Sequence, residues 1–366
     1  MDHLKLKFII AAWALCLTVV VKAQDKNQLV YTDVASLPLT GKVLPTKNPY
    51  HRVDTATYPA LPKAVKYLLT QSAGIAVHFT TNSTKIGAKW CVKDNKPGVN
   101  QVPINQKGLD LYIKRDGQWV FAGVGKPSKE CNEGVLVQNM ESGTKECLMY
   151  LPTYDETTSL QIGVEKNASF RVLPDPFSKR ILIYGSSITQ GAAASRPGMA
   201  YPARLSRETG LNFLNLGLSG NGKMEKAAAD MIIDIDADAY ILDCVANPSP
   251  EQIKERTAYL VNTIRKAHPK APIIVIQSVV REGGNFDQVI RKRVADQNTE
   301  IVRQVTALQN AGVKDLYMIK GKSLLGTDHE ATVDGTHPTD LGFDRMLTEL
   351  KPQIIDILKK YGIAGK

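Results

Sequence analysis

The chain has 366 residues, of which 43% are hydrophobic and 22% are charged, and this composition is typical of a globular protein. The length is generous for one domain and sufficient for two. The formal net charge is +10, but the lysines and arginines are scattered and form no basic run. Charge alone therefore gives little support to nucleic-acid binding or to binding at a membrane surface.

The N-terminal segment 1–23 has the organisation of a secretory signal peptide. Two lysines precede an apolar stretch (8–21), and Ala23 ends a small-residue motif of the kind that signal peptidase cleaves. The apolar stretch is too short to span a membrane comfortably. A lipoprotein signal at Cys16 is an alternative, but Leu15 is bulky where such signals have a small residue. We therefore expect cleavage near Ala23, export to the periplasm or the medium, and no stable membrane insertion afterwards.

Four cysteines remain after this cleavage, and an exported protein can form disulfide bonds. Cys131 and Cys147 flank one short strand-like segment, whereas Cys91 has no obvious partner. Cys244 ends an apolar run, which is typical of a buried free thiol. The pairing stays open at this stage. No Cys-x-x-Cys motif or Cys/His cluster has the spacing of a zinc site, so we expect no metal centre.

The segment from about 70 to 170 has the pattern of β-strands. Short runs rich in Val, Ile, Thr and aromatic residues are separated by turn-forming residues, and few stretches are long enough for a helix. Asp116-Gly117, between two alternating runs, predicts a hairpin. We therefore predict an all-β sandwich domain of the jelly-roll kind over residues 24–175. Trp90 and Trp119 are expected in its core rather than on a sugar-binding surface.

The pattern changes from Arg180 onward, where apolar strands alternate with amphipathic stretches. This alternation predicts a parallel sheet covered by helices on both faces, a three-layer α/β/α domain over residues 176–366. Asp175-Pro176 is the expected junction between the two domains. The predicted helices are 201–208, 223–235, 250–267, 287–310 and 339–360.

Polar residues follow four of the predicted parallel strands. In an open α/β sheet the functional site lies at the carboxyl ends of the strands. The four segments are Gly185-Ser186-Ser187, the glycine-rich turn 217–222, Asn247 after an apolar strand, and Asp334-Gly335-Thr336-His337.

These segments hold the components of an acyl-transfer site. A serine hydroxyl becomes a good nucleophile when a histidine takes its proton and a carboxylate orients the histidine. Asp334 and His337 are three residues apart, close enough for that contact. The tetrahedral intermediate needs hydrogen-bond donors, which a serine N–H, the Gly220 N–H and the Asn247 amide can supply. The alternatives are structural: Gly220 as a helix-start glycine and Asn247 as a turn residue.

In order and content, the four segments resemble the blocks of the SGNH (GDSL-type) hydrolases. The resemblance covers about 180 to 360. It implies that Ser187 is the nucleophile, that His337 and Asp334 complete the triad, and that the Ser187 N–H, Gly220 and Asn247 form the oxyanion hole.

The chain departs from the family pattern at two points, and a second resemblance lies upstream. Ser186 stands where the family usually has Asp, and the segment around Asn247 lacks the usual Gly and the following Asp. Gly108-Leu109-Asp110-Leu111-Tyr112 resembles the GxDLY signature of the β domain that precedes some bacterial SGNH esterases. His329 is expected to be a loop residue outside the triad, and Asp243 a structural hydrogen-bonding residue.

The resulting prediction is an exported serine esterase that removes small acyl groups, acetyl above all, from carbohydrates through an acyl-enzyme. It needs no metal or organic cofactor and no nucleic-acid partner. A lipase or lysophospholipase-type acylhydrolase is the first alternative, and a glycan-binding protein on a degenerate hydrolase fold is the second. The sugar, the ester position and the oligomeric state are not encoded in any pattern that we recognise.

Overall fold

The computed structural model describes residues 28–93, 98–321 and 324–365. The predicted signal peptide and its cleavage site lie outside the described residues. We call 28–173 the β region and 178–365 the α/β region. The predicted domain boundary at Asp175-Pro176 falls between them and stays a prediction.

The β region consists of two antiparallel sheets. One sheet has the strand order β1-β8-β3-β6 and the other β5-β4-β7-β2-β9. The strands are β1 (Leu29–Asp33), β2 (Ala76–Thr81), β3 (Ile86–Val92), β4 (Leu109–Arg115), β5 (Gln118–Gly125), β6 (Cys131–Val137), β7 (Lys145–Tyr150), β8 (Thr157–Glu165) and β9 (Phe170–Val172). Two short helices, α1 (Lys63–Leu69) and α2 (Pro103–Lys107), lie in the connections. The predicted β architecture is confirmed, although β1, β9 and the short helices were not anticipated.

The core of the β region contains one of the two tryptophans singled out in the sequence. Trp90 is 1% exposed and donates its indole N–H to the Lys107 carbonyl over 2.9 Å. Trp119 is only partly buried and meets the His78 ring edge-on, with the ring centroids 5.9 Å apart. The core prediction is thus confirmed for Trp90. Trp119 lies on the opposite face of its sheet, where it is partly buried against a smaller apolar cluster that includes Tyr112 and Ala203.

The predicted hairpin joins β4 to β5. Asp116 and Gly117 both have positive φ, 50° and 76°, as a type I′ turn requires. The strands pair from Arg115 with Gln118 onward. The local sequence pattern therefore predicted both the turn and its position.

Cys91 and Cys131 form a disulfide bond between directly opposed residues of β3 and β6. The sequence left the pairing open. Cys147 is not the partner of Cys131, and β6 and β7 belong to different sheets. Cys147 is free and buried, and burial raises the pKa of its thiol to about 12. Cys244 is a buried free thiol, as predicted.

The α/β region is built on a five-stranded parallel sheet of order β11-β10-β12-β13-β14. Its strands are β10 (Ser178–Gly185), β11 (Leu211–Gly217), β12 (Ala239–Asp243), β13 (Ile273–Ile276) and β14 (Leu316–Ile319). Its helices are α3 (Ser187–Gln190), α4 (Tyr201–Thr209), α5 (Lys226–Ile232), α6 (Pro250–Ala267), α7 (Gln288–Asn310) and α8 (Asp340–Lys359). Separate apolar cores lie on the two faces of the sheet. The predicted three-layer α/β/α architecture is confirmed.

All five predicted helices are present, and their ends follow local capping signals. The bounds of α6 equal the prediction, because Ser249 and Gln252 form a capping box at its start. Asp287 caps α7 by accepting the N–H groups of Val289 and Ile290. Across the described ranges, no helix combines the length and the apolar character needed to cross a membrane.

The order of the parallel strands creates a crevice at the end of β10. The chain passes from β10 to β11 on one side, and then returns to β12 on the other side of β10. Ligands bind at such a reversal, outside the carboxyl ends of the strands. The segment that follows β10 begins with Ser186 and Ser187.

A buried arginine joins the β region to the end of β11. Arg52 is 0% exposed and donates to the carbonyls of Leu68 (2.6 Å) and Gln71 (2.9 Å) in the β region. It also donates to those of Asn215 (3.1 Å) and Gly217 (2.8 Å) on β11. Buried backbone carbonyls need such partners. Arg52 therefore fixes the end of β11 against the β region.

The Gly-x-Asp-Leu-Tyr sequence forms a second connection between the two regions. The Asp110 carboxylate is buried and accepts two hydrogen bonds from Arg196 (2.9 and 3.1 Å) and one from the Gly198 N–H (2.8 Å). The Tyr112 hydroxyl also contacts Arg196, and the Arg207 guanidinium lies 3.9 Å from the centre of the Tyr112 ring. The signature thus binds the segment between α3 and α4.

Candidate active site

Ser187 is the first residue of α3, immediately after β10. The Ser186 side chain caps this helix by accepting the Ile188 N–H over 3.2 Å, and Gly191 ends it after one turn in the left-handed conformation. A Cβ atom at Gly185 would lie 1.8 Å from the Thr189 hydroxyl oxygen, so only glycine fits this sharp strand-to-helix turn. The turn leaves the Ser187 side chain at the edge of the sheet, with the residue 7% exposed.

The structure brings Ser187, His337 and Asp334 together in one hydrogen-bonded chain. Ser187 Oγ is 2.9 Å from His337 Nε2, across 150 residues of sequence. His337 Nδ1 is 2.7 Å from Asp334 Oδ2. These distances suit proton transfer from a serine to an oriented imidazole.

Asp334 is held by its own turn. Its Oδ1 atom accepts the N–H groups of Thr336 (3.0 Å) and His337 (2.8 Å), a pattern typical of Asp at a turn. Burial by itself would raise the pKa of Asp334. Hydrogen bonds from the His337 N–H, from the Asn100 side chain and from the imidazole outweigh burial and lower the pKa to about 2. The carboxylate is therefore ionised at neutral pH, as its contact with His337 requires.

Asn100 contacts this pair, and no pattern in the sequence indicated that it would. It belongs to the β region, yet its Nδ2 atom is 2.9 Å from Asp334 Oδ2 and 3.1 Å from His337 Nδ1. An asparagine in a loop 234 residues from Asp334 carries no local signal of this role. Asn100 reaches Asp334 and His337 only because the β region packs against the α/β region.

The two loops that carry Gly220 and Asn247 meet at the end of β10. The Leu218 N–H donates to the Gly185 carbonyl (2.9 Å), and the Gly222 N–H donates to Asn247 Oδ1 (3.2 Å). This bond orients the Asn247 amide. Within the described part of the chain, Asn247 Nδ2 and the N–H groups of Ser187 and Gly220 have no hydrogen-bond acceptor. Three donors of the predicted oxyanion hole are thus free, and their role stays a prediction.

Gln190 and Tyr154 also position the site, and neither was anticipated. Gln190 Oε1 accepts the Ser219 N–H (3.0 Å), while its amide donates to the Thr153 carbonyl (3.0 Å). The Tyr154 hydroxyl donates to the Ser187 carbonyl over 3.1 Å. Thr153 and Tyr154 belong to the β region, which therefore supports both the serine and the loop that precedes Gly220.

The remaining polar residues noted in the sequence lie outside the hydrogen-bonded chain. Asp243 accepts the hydroxyls of Thr189 (2.8 Å) and Tyr201 (2.7 Å), which confirms its structural role. Burial raises the pKa of Asp243 to about 6, against the effect of these two bonds. His329 contacts Glu282 (2.6 Å) and has no contact with Ser187.

A cavity of about 330 Å³ lies beside the loop that carries Gly220. Its walls come from α1 and the segment 98–106 of the β region, and from the two residues that flank Gly220 in the α/β region. None of the lining residues is charged. They are Ala64, Tyr67, Leu68, Gln71, Gly98, Asn100, Gln101, Gln106, Tyr154, Ser219 and Asn221.

The described part of the chain contains no candidate metal site. There, no group of three or more His, Cys, Asp or Glu side chains could hold a metal ion. The hydrogen-bonded chain from Ser187 to Asp334 consists of the three residue types of a Ser-His-Asp triad.

Two protein-family models match this chain, one in each of the two regions. The model of the GDSL-like lipase/acylhydrolase family matches residues 178–355. The model of the GxDLY domain, the N-terminus of SGNH-hydrolase-type esterases, matches residues 29–170. No curated protein matches the chain.

Solved structures with the same fold cover nearly the whole chain. A protein from Bacteroides ovatus described as a GDSL-like lipase is 58% identical, with a TM-score of 0.90 over 91% of this chain and 98% of its own. The salicylyl-acyltransferase SsfX3 from a tetracycline biosynthetic pathway is 21% identical, with a TM-score of 0.72 over 90% and 97%. The acetyl xylan esterase Est2A from the rumen bacterium Butyrivibrio proteoclasticus is 15% identical, with a TM-score of 0.57 over 90% and 99%. The last two likenesses concern the fold alone.

Proposed function

Since this chain belongs to the GDSL-like lipase/acylhydrolase family, we propose that it is a serine esterase that hydrolyses small acyl esters, above all acetyl esters, on carbohydrates. The observation that carries the proposal is the hydrogen-bonded chain from Ser187 through His337 to Asp334. Each member has the chemical character that its proposed step requires.

In the first half of the reaction, Ser187 Oγ attacks the ester carbonyl while His337 Nε2 takes the hydroxyl proton. The carbonyl oxygen becomes an oxyanion, which the N–H groups of Ser187 and Gly220 and the Asn247 amide stabilise. The intermediate collapses, the bond to the alcohol breaks, and His337 returns the proton to the leaving oxygen. The acyl group is then an ester of Ser187.

In the second half, water takes the place of the alcohol. His337 removes a proton from the water as the water oxygen attacks the acyl carbonyl. The intermediate then collapses, the bond between Ser187 Oγ and the acyl carbon breaks, and His337 returns the proton to Ser187 Oγ as the carboxylic acid leaves. Asp334 stays ionised throughout, because its hydrogen bonds hold its pKa at about 2. The carboxylate stabilises the imidazolium that forms in each half-reaction.

The neighbouring cavity supports a carbohydrate as the alcohol part of the substrate. Five amide side chains and two tyrosines line it, and no charged residue does. Amides both donate to and accept from hydroxyl groups, and aromatic rings pack against the apolar faces of sugars. A long acyl chain would find no comparable advantage in an amide-lined space. One structural neighbour is described as an acetyl xylan esterase, which agrees with this substrate class.

The direct test is acetate release from a panel of acetylated polysaccharides, with long-chain acyl esters in parallel. We expect the wild-type protein to release acetate and Ser187→Ala to release none above background. Ser186→Ala is the matched control, since it removes the neighbouring hydroxyl and costs only a helix cap. Cleavage of long-chain esters alone would replace the carbohydrate proposal by the lipase alternative. Binding of glycans without any turnover would refute the esterase.

Export is proposed as well, on the pattern of residues 1–23. N-terminal sequencing of the protein recovered from outside the cytoplasm should begin close to residue 24. An intact N-terminus on the recovered protein would contradict the proposed cleavage.

A further inference from the structure

Asn100 lies at the contact between the β region and the Asp334–His337 turn. Its Nδ2 atom is 2.9 Å from Asp334 Oδ2 and 3.1 Å from His337 Nδ1. An ionised carboxylate only accepts hydrogen bonds, so the atom that faces it must be the amide nitrogen and not the amide oxygen. The same reasoning places the His337 ring proton on Nδ1, toward Asp334. Asn100 and His337 therefore both donate to one carboxylate oxygen.

The origins of the hydrogen bonds to Asp334 differ. Oδ1 accepts two backbone N–H groups of its own turn, and Oδ2 accepts His337 Nδ1 from the same turn. Asn100 supplies the fourth hydrogen bond from a segment 234 residues away. The Asp334 side chain is 34% exposed, so without Asn100 water has access to Oδ2. Water is mobile, whereas the amide fixes the direction from which Oδ2 is approached.

We infer that Asn100 is a positioning residue, which holds the Asp334 carboxylate in the orientation that keeps His337 aligned with Ser187. The inference rests on the proposed function, because it assigns a role within the same reaction. In this inference the triad depends on the β region, because the fourth hydrogen bond to the Asp334 carboxylate comes from Asn100.

Asn100 is separable from the contacts that dock the two regions. Arg52 and Asp110 make buried multiple hydrogen bonds across the interface, whereas Asn100 makes its contact at an exposed edge. Removing its amide should therefore leave the two regions docked. A change in the reaction then reports on the orientation of Asp334 and not on undocking.

The chain contains a matched control. Asn285 Nδ2 is 2.9 Å from Glu282 Oε2 and 2.8 Å from His329 Nδ1, and that histidine is 2.6 Å from Glu282. This cluster repeats the Asn100 arrangement at a histidine that contacts no serine hydroxyl among the described residues. Asn285→Ala thus removes an equivalent amide from an equivalent carboxylate.

The test is the labelling rate of Ser187 by a fluorophosphonate, together with kcat and KM for an activated acetyl ester. In labelling, the Ser187 Oγ–P bond forms, the P–F bond breaks, His337 takes the serine proton and fluoride leaves. We expect Asn100→Ala to lower the labelling rate and kcat about tenfold, as for loss of one hydrogen bond to a charged group. KM should stay within about twofold, because an activated acetyl ester carries no sugar that could contact the Asn100 amide in the neighbouring cavity. Asn100→Asp keeps the shape but loses the donor, and should be slower than Asn100→Ala.

Three outcomes would overturn the inference. The first is an Asn100→Ala variant whose labelling rate and kcat equal those of the wild-type protein. The second is an equal loss of labelling rate and kcat in Asn100→Ala and Asn285→Ala, with the thermal unfolding of both variants unchanged. A loss confined to KM would assign Asn100 to substrate binding instead. Absence of Ser187 labelling in the wild-type protein is a different failure, because it refutes the proposed function itself and this inference with it.

Discussion

The β region and the α/β region contribute to the site in different ways. In the α/β region the groups of the proposed triad follow strands or precede a helix at one edge of the parallel sheet, with Ser187 and His337 in contact. In the β region the contributing side chains come from connections between elements, and they donate to groups of the other region. In the proposed reaction, the α/β region supplies the reacting groups and the β region holds them in place. The proposed reaction centre and the side chains that support it thus belong to different sheets and their connections.

The largest effect is expected where the chemistry lies. Asp334→Asn should lower kcat about 10⁴-fold, because an amide in this position favours the wrong tautomer of the neighbouring histidine. Steady-state kinetics on an activated acetyl ester measures the loss. Asp328→Asn, in an exposed pair with Arg345, is the control and should retain wild-type kcat. A loss below tenfold in Asp334→Asn would contradict the separation of roles between the regions.

Breaking the connection between the regions should affect stability rather than chemistry. Arg196→Ala leaves the Asp110 carboxylate buried without its charged partner, which costs about 3 kcal/mol in the free energy of unfolding. Urea unfolding measures this cost. Lys179→Ala removes an exposed ion pair with Asp238 and should change stability by less than about 1 kcal/mol. Equal effects of the two variants would show that the buried contact between Asp110 and Arg196 contributes no more to stability than an exposed ion pair.

The pH dependence of stability should separate Asp243 from Asp334. Burial raises the native pKa of Asp243 to about 6, so the native state binds more protons than the unfolded state between about pH 4 and 6. Its contribution is therefore present below about pH 4 and lost as the pH rises through 6. The difference of about two pKa units between the native and unfolded states corresponds to about 3 kcal/mol in the free energy of unfolding.

Asp334 has the opposite sign. Its pKa is lowered to about 2, so its contribution is present above about pH 4 and lost as the pH falls through 2. Urea unfolding of wild type and Asp243→Asn at several pH values between 4 and 7 tests the first effect. The difference between the two proteins should change across this range. A constant difference would mean that Asp243 is ionised throughout in the native state.

The smallest effect is expected at the β4–β5 hairpin, which takes no part in the hydrogen-bonded chain from Ser187 to Asp334. Gly117 has a φ of 76° with open space around it, so Gly117→Ala should cost about 1 kcal/mol through backbone strain alone. Gly134→Ala is the control, because that glycine has equally open surroundings without a positive φ. Urea unfolding compares them, and kcat should be unchanged in both. Equal stability of the two variants would contradict the turn geometry.

Predictions from the sequence succeeded where the determining contacts are local. The bounds of α6 follow from a capping box within four residues, and the β4–β5 hairpin follows from Asp116-Gly117. The pairing of Cys131 could not be predicted in this way, because its partner is the residue opposite on another strand. The face on which Trp119 packs could not be predicted for a similar reason, since both faces of its sheet carry apolar residues and an alternating pattern does not distinguish them.

Local sequence accounts for the three side chains of the proposed triad, for the strand-to-helix turn that presents Ser187 and for the turn that joins Asp334 to His337. Each of these depends on residues a few positions apart, whose geometry short-range sterics and hydrogen bonds dictate. Only the tertiary structure decided that Asn100, Tyr154 and Arg52 support them. Those contacts span tens to hundreds of residues, and they form only when the apolar faces of the two regions have packed and brought unrelated loops within hydrogen-bond distance.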